Sequence, residues 1–294
     1  MQSTLLIINP VSGRRKIKPL LYKVVDLLCK HGCKTTIFIT TGPGEAARIA
    51  KEYSHDFERI ICCGGDGTLN EIFSGLMEAG ARLPVGYIPS GTTNDFANTL
   101  GLPKGIAKAT LTALEGQAGD IDLGFFNGSK YFSYVASFGA FTNASYKTPQ
   151  WLKNFLGRPS YFLYGVSSVM DIRPYSAKIV ADDKEIEGEF IFGSVSNSAF
   201  IGGFKPFPQD FVCLNDGLFE LLLVRAPKSP KDVQAIVDNM LKRSYNDKQV
   251  VLIKAKKLLF TFTESVPWTV DGEFAGDVPQ VEIDNLCNAI EIIS

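Results

Sequence analysis

Apolar runs alternate with helix-spaced apolar positions over the first third of the chain. Residues 4–9 form a continuous apolar run, the mark of a strand buried on both faces. Pro10-Val11-Ser12-Gly13 breaks it, and Leu20, Leu21, Val24, Leu27 and Leu28 then recur at helical spacing up to a stop at Gly32. Residues 35–40 are β-branched and aromatic and predict a strand, and 44–53 predict a helix with Glu45 in its first turn. A strand at 60–63 runs into a glycine turn and then a helix over 69–79. Another strand, 85–88, ends at Pro89-Ser90-Gly91-Thr92-Thr93-Asn94-Asp95, and 106–115 is again helical.

Near residue 120 the pattern changes. Residues 120–132 read as a hairpin turning at Asn127-Gly128. Short strand patterns follow at 178–180, 190–196, 219–224, 250–253, 258–262, 281–283 and 290–293, interrupted by helical stretches at 160–172 and 230–241. The prediction is an α/β fold with two parts. A Rossmann-like open parallel sheet covered by helices spans residues 1–123, and a mainly antiparallel β-sandwich spans 124–294. The last strands are left free to return to the first part. In open parallel sheets ligands sit beyond the carboxyl ends of the strands. The turns that carry chemistry here all fall at such ends.

A length of 294 residues accommodates two cores, and the 45% hydrophobic share is that of an ordinary globular protein. The formal net charge of -1 gives no electrostatic reason for a nucleic-acid partner. Met1-Gln2-Ser3-Thr4 runs straight into a strand, without the basic start and cleavage site of a secretion signal. The best membrane-span candidate, 151–170, is interrupted by Lys153, Arg158 and Pro159 and falls short of about 18 clean apolar residues. The six cysteines show no paired zinc spacing and lie in apolar runs, which predicts buried, reduced thiols in a cytoplasmic protein. His31 suits a helix C-terminus and His55 a polar turn. Proton transfer therefore falls to carboxylates.

The most informative segment is Gly64-Gly65-Asp66-Gly67-Thr68-Leu69-Asn70-Glu71. Amides at a glycine turn and at a helix start suit phosphate. Asp66 would repel that phosphate unless a cation or a proton lies between, and the simplest reading is a nucleotide kinase site with magnesium. Asn9, Ser12 and Gly13, with Arg14, Arg15 and Lys16 behind them, form a second phosphate-compatible turn. Thr92, Asn94 and Asp95 offer hydroxyl, amide and carboxylate at a third, where a helix N-cap is also expected. Asp271-Gly272-Glu273 by itself is a turn signal, and Asp122 marks the junction of the two parts. The segment 151–158, with Tyr161, Phe162 and Tyr164 beyond, mixes aromatics and cations and reads as a core helix or a membrane-surface contact.

Together these segments resemble the diacylglycerol kinase catalytic family, which includes sphingosine and ceramide kinases. Asn9-Pro-Val-Ser-Gly13, Thr41 with Gly44-Glu45-Ala46, the 64–71 turn, Pro89-Ser-Gly-Thr-Thr-Asn-Asp-Phe-Ala97 and Asp271-Gly-Glu273 occur in the family's order. The chain looks like the soluble bacterial members, which act on lipids in the membrane surface, and not like the integral membrane diacylglycerol kinases. The resemblance implies ATP and Mg2+ as cofactors and diacylglycerol as the acceptor. It implies phosphate contacts from Gly64, Gly65, Asp66, Gly67, Thr68 and Thr92, and a nucleotide pocket lined by Asn9, Ser12, Gly13, Thr41, Glu45 and Asn94. Asp66, Asp95 and Asp122 would form a hydrated acidic cluster around the reacting magnesium. Asp271 would take the proton of the lipid hydroxyl, with Glu273 beside it. A structural magnesium is implied near Leu214-Asn215-Asp216-Gly217-Leu218, held by Asp216 and the carbonyls of Leu214 and Leu218, with Asn215 where the family pattern is more acidic. The implied setting is the cytoplasm, peripheral at the inner face of the membrane, as monomer or homodimer. Alternatives are a kinase for a sphingoid base or phosphatidylglycerol, an NAD kinase, which shares a Gly-Gly-Asp-Gly turn but not the 89–97 segment, or a silent nucleotide-binding protein.

Overall fold

The structure, a computed structural model, describes residues 3–15, 21–140, 172–245 and 248–294. Four parallel strands open the chain: β1 (Ser3–Ile8), β2 (Lys34–Ile39), β3 (Arg59–Gly64) and β4 (Val85–Pro89), in the spatial order β4-β3-β1-β2. Alternation of side chains across the sheet splits their apolar residues between two faces. Leu5, Ile7, Ile60, Cys62, Val85 and Tyr87 pack under α2 (Glu45–Tyr53) and α3 (Asp66–Ala79). Leu6, Ile8, Ile61, Cys63 and Ile88 pack under α1 (Leu21–Lys30) and α5 (Ile106–Glu115). A short helix, α4 (Asp95–Thr99), follows β4. The continuous apolar runs exist because both faces are covered.

The remainder is antiparallel. β5 (Ala118–Phe126) and β6 (Lys130–Phe132) form the expected hairpin, with Asn127 and Gly128 both at positive φ. β7 (Val135–Gly139) and β8 (Tyr175–Ala181) each pair with both β9 (Lys184–Ser196) and β12 (Lys257–Val270). That circuit rolls the sheet around an aromatic core. Trp268, fully buried, lies with its ring centroid 5.0 Å from Phe138, 5.1 Å from Phe260 and 5.6 Å from Phe126. β10 (Phe219–Arg225) and β11 (Val250–Ala255) extend the sheet from β9. On this outer face α6 (Pro230–Lys242) buries Val233 and Ile236 against Ile191, Phe192, Leu222 and Val224. Its start is capped by the Ser229 hydroxyl, which accepts from Asp232 N at 3.3 Å.

Two details differ from the sequence expectation. The separate strands at 281–283 and 290–293 are one 21-residue strand, β13 (Glu273–Ile293), interrupted by a register shift between Leu286 and Ile290. Its end returns to the first part, where Ile292 and Ile293 lie beside Val85 and Gly86 in parallel. The cysteines are all free, but only Cys62 and Cys63 are buried; Cys29, Cys213 and Cys287 are exposed. Cys29 precedes Lys30 on the solvent side of α1, and Cys213 and Cys287 lie in irregular segments where an apolar neighbourhood in sequence does not mean burial. His31 ends α1 as expected, with its ring nitrogens 2.8 Å from Leu27 O and 2.8 Å from Glu115 Oε1. Among the described residues no helix is long and apolar enough to cross a membrane. The aromatic segment at 151–158 and the helix expected at 160–172 fall outside the described residues, apart from Ile172.

Because Trp268 closes the rolled core from the centre, Trp268→Ala is expected to lower stability by about 3–5 kcal/mol. Urea unfolding checks this, with a lowered midpoint and an unchanged slope as the expected result.

Candidate active site

The loops beyond the ends of β1, β3 and β4 lock into one another. Asn9 Nδ2 donates to Thr68 Oγ1 at 2.9 Å, and the Ser12 and Ser90 hydroxyls meet at 2.6 Å. Gly13 sits so close to the third loop that a Cβ there would lie 1.7 Å from Ser90 O. A Cβ on Gly91 would lie 2.8 Å from Gly65 Cα. Side chains at these two positions would push the loops apart. Asn94, at φ 52, does not cap α4 with its side chain as expected; its Nδ2 donates to Gly91 O at 3.0 Å and tightens the loop instead. Beside this cluster, Glu45 Oε2 accepts from Thr41 N at 2.5 Å and from Thr41 Oγ1 at 2.8 Å. These bonds hold the Glu45 carboxyl below its ordinary range, the Thr41 amide first among them. Glu71 of α3 ties this turn in by accepting from Gly44 N at 2.8 Å and Ala46 N at 3.1 Å. Gly67 and Thr92 face solvent at the rim.

Three carboxyls converge on these loops. Asp66 opens α3; its oxygens accept from the Tyr87 hydroxyl at 3.2 Å and from Asp95 N at 2.9 Å. Asp95, 2% exposed, takes the Gly203 amide on both oxygens, at 3.1 and 3.0 Å. Asp271 comes from the other end of the chain. With Gly272 it makes the two-residue turn between β12 and β13, at φ 47 and 85, so its turn character is real. Its carboxylate is nonetheless captured from outside the turn. Oδ2 accepts from Ser133 N at 2.8 Å and Ser133 Oγ at 2.9 Å, and Oδ1 from Tyr134 N at 3.1 Å and Val135 N at 2.9 Å. Three successive amides thus form an anion nest. The segment that provides them is held against α3, where Asn70 Nδ2 donates to Tyr131 O at 3.1 Å.

Burial pushes the Asp66 carboxyl up to about 6, with the charges of Asp95 and Asp271 adding to it. Burial raises Asp95 as well. Asp271 is pushed to about 6 by burial, against the pull of its donors. The Tyr134 phenol is raised by burial and then by Asp271, Asp66 and Asp95, so all four groups share one field. Tyr134, Val135 and Gly203 had no sequence signal, because they act through main-chain amides, and Ser133, which adds its hydroxyl, stood outside any motif. Glu71 stood in the glycine motif without an assigned role.

The other expected site residues have their own partners. The Asp122 carboxylate, fully buried, accepts from Gly217 N at 2.7 Å, Asn288 N at 2.8 Å and Asn285 Nδ2 at 3.3 Å. It pins β5 to the 214–217 loop and to the irregular part of β13. Glu273 is exposed at the start of β13. Leu214 O already accepts from Asp122 N at 2.7 Å and Asn197 Nδ2 at 3.2 Å. Asp216 accepts from Leu218 N at 3.0 Å and pairs with Lys254 Nζ at 2.5 Å.

Two metal positions can be tested against these side chains. Among the described residues no group of three or more His, Cys, Asp or Glu side chains could hold an ion alone. Asp66 and Asp95, buried like charges at the phosphate-compatible loops, fit a hydrated magnesium that takes one or two carboxylates and completes its shell with water and phosphate. The Leu214, Asp216 and Leu218 set does not fit a cation, since its Leu214 carbonyl is doubly used and an ammonium stands on Asp216.

Residues 3–126 match the family described as the diacylglycerol kinase catalytic domain, and 135–294 match the YegS C-terminal NAD kinase beta sandwich-like domain. A relative named diacylglycerol kinase from Bacillus subtilis (strain 168) is 35% identical over 295 residues, covering 100% of this chain and 96% of the relative. One of the same name from Staphylococcus carnosus (strain TM300) is 33% identical over 290 residues, covering 98% and 93%. A crystal structure from Bacillus anthracis str. Sterne superposes with a TM-score of 0.81 at 27% identity, covering 99% of this chain and 95% of that one.

The raised Asp66 carboxyl leaves a mark on stability. Its folded pKa of about 6 stands above the ordinary 3.8, so the folded form binds the extra proton and is favoured at low pH. That contribution is lost as pH rises through about 6. The stability of the wild type relative to Asp66→Asn is therefore expected to fall between pH 4 and pH 7, roughly the window set by the two pKa values. Urea midpoints of both proteins across that window check it.

Proposed function

The chain belongs to the diacylglycerol kinase catalytic family and is a lipid kinase, and from that premise we propose that it transfers the γ-phosphoryl group of ATP to the free hydroxyl of diacylglycerol, giving phosphatidic acid. The observation that carries this reading is the meeting of Asp271, from the sandwich, with Asp66 and Asp95, from the glycine loops.

Phosphoryl transfer asks mainly for positioning and charge control. The amides of Gly65, Gly67 and Thr68 at the start of α3, with Thr92 at the rim, receive the phosphates. Asn9, Ser12, Gly13, Thr41, Glu45 and Asn94 line the nucleotide side. Magnesium arriving with the nucleotide would be held through water by Asp66 and Asp95 and would offset the phosphate charge. Asp271 accepts the proton of the lipid hydroxyl as its oxygen bonds to the γ-phosphorus, while the bond from that phosphorus to the bridging oxygen breaks and ADP leaves. A carboxyl near 6 is a stronger base than an ordinary one and is still ionised at neutral pH. The amide nest fixes its orientation before substrate arrives, so little ordering remains at the moment of reaction. Glu273, exposed two residues after Asp271, stands beside the base, and Asp122 acts as a positioning residue through the 214–217 loop. The protein is taken as cytoplasmic and peripheral at the inner membrane face, where its substrate resides.

Radiolabelled ATP supplied with diacylglycerol in mixed micelles is expected to label the lipid only when magnesium is present. Asp271→Ala should lower kcat by about 10²–10⁴-fold and leave ATP affinity unchanged. Undiminished turnover would remove Asp271 from the role of base. Labelling of a sphingoid base, phosphatidylglycerol or NAD in place of diacylglycerol would reassign the acceptor, and ATP binding with no labelled product would indicate a silent scaffold.

A further inference from the structure

The second metal position, where the expected donors do not fit, lies under the loop that leads into β10. Its surroundings are set by strand register. In the antiparallel pair β10 and β11, Glu220 stands directly opposite Lys254, so both side chains emerge on one face of the sheet. The Glu220 carboxyl is fully buried, and neither of its oxygens has a hydrogen-bond partner. Lys254 Nζ lies 3.6 Å from Glu220 Oε1 and 2.5 Å from Asp216 Oδ2. The ring of Phe211 lies 5.5 Å from the same ammonium.

We propose that the Lys254 ammonium occupies the place of a bound divalent cation in this part of the chain, so that the 214–218 loop is held by an internal ion pair and not by magnesium. Three features converge on this. The ammonium meets the one carboxylate of the loop, Asp216, directly. Leu214 O, a required oxygen ligand, has both acceptor positions filled by Asp122 N and Asn197 Nδ2. Asn215, which replaces an acidic residue of the family pattern, has its side-chain oxygen engaged by the Cys213 thiol at 3.4 Å. Magnesium fills much of its shell with water but still takes one or two carboxylates, and the single carboxylate of this loop is already paired with the ammonium. The backbone order that the ion would impose is supplied by Leu218 N on Asp216 Oδ1 and Gly217 N on Asp122 Oδ2. The inference rests on the sandwich alone and is independent of which lipid is phosphorylated.

The test is thermal unfolding of the full chain without nucleotide or lipid, in EDTA and in magnesium chloride, for the wild type, Asp216→Asn and Lys254→Met. Asp66 and Asp95 remain in all three proteins, so any stabilisation by magnesium at the active site is common to them. The expected result is the same magnesium-induced shift in the wild type and in Asp216→Asn. Lys254→Met in EDTA should melt several degrees lower than the wild type, since it leaves the buried Glu220 carboxyl without its facing ammonium and frees Asp216. A magnesium shift present in the wild type and lost in Asp216→Asn would put an ion on the loop and overturn the proposal. So would a Lys254→Met protein that melts like the wild type. Should Lys254→Met not fold, the comparison of wild type with Asp216→Asn decides alone.

Discussion

The strand that leaves the Asp271 turn does not stop until it lies against β4. β13 pairs with β12 along its first part, with β5 along its second, and with Val85 and Gly86 at its end. One backbone ladder therefore belongs to both parts of the molecule. A hinge between them would have to break hydrogen bonds of this ladder, whose end lies at the buried Ile292 and Ile293. The placement of Asp271 beside Asp66 and Asp95 follows from this continuity together with the Asn70 contact to β6.

Its electrostatics run against stability. Three carboxyls share a desolvated space, and two of them are held near 6 by burial. In a protein whose net stability is a small difference of large terms, such an arrangement is retained only where it serves function. It makes sense if the missing positive charge arrives with the substrate. The amides around each carboxylate offset part of the desolvation: three from residues 133–135 for Asp271, one from Gly203 for Asp95, and one from Asp95 itself for Asp66.

Much of this was legible in the sequence, and the gaps have physical causes. The continuous runs at 4–9 and 60–63 declared a doubly covered sheet, and the glycine turn at 64–67 declared its ligand end. β7 went unseen because Val135-Ala136-Ser137-Phe138-Gly139, buried on both faces, shows neither alternation nor a bulky run. β13 was split in two because Asp284, Asn285 and Asn288 carry turn signals; Asn288 does take a positive φ, but the strand continues past the shift. The nest at 133–135 left no trace, since an amide belongs to every residue but proline. Lys254 was invisible for another reason: its partner depends on register, and register is a property of the folded sheet.

That reliance on main-chain donors bears on how the site persists. Tyr134, Val135 and Gly203 hold the carboxylates of Asp271 and Asp95 by atoms that substitution does not remove. What must be kept is backbone conformation: the two-residue turn at 271–272 and the close approach of the loops at Gly13, Gly65 and Gly91. Of the nest only Ser133 also donates through its side chain, so the carboxylate's hold rests chiefly on main-chain geometry. The loop at 214–218 is the contrasting case. There main-chain amides bind the carboxylates of Asp122 and Asp216, and the Lys254 ammonium on the facing strand adds a side-chain charge. Main-chain donors fix the carboxylates at the centre, whereas at the periphery a charged side chain set by strand register, Lys254, meets the loop carboxylate.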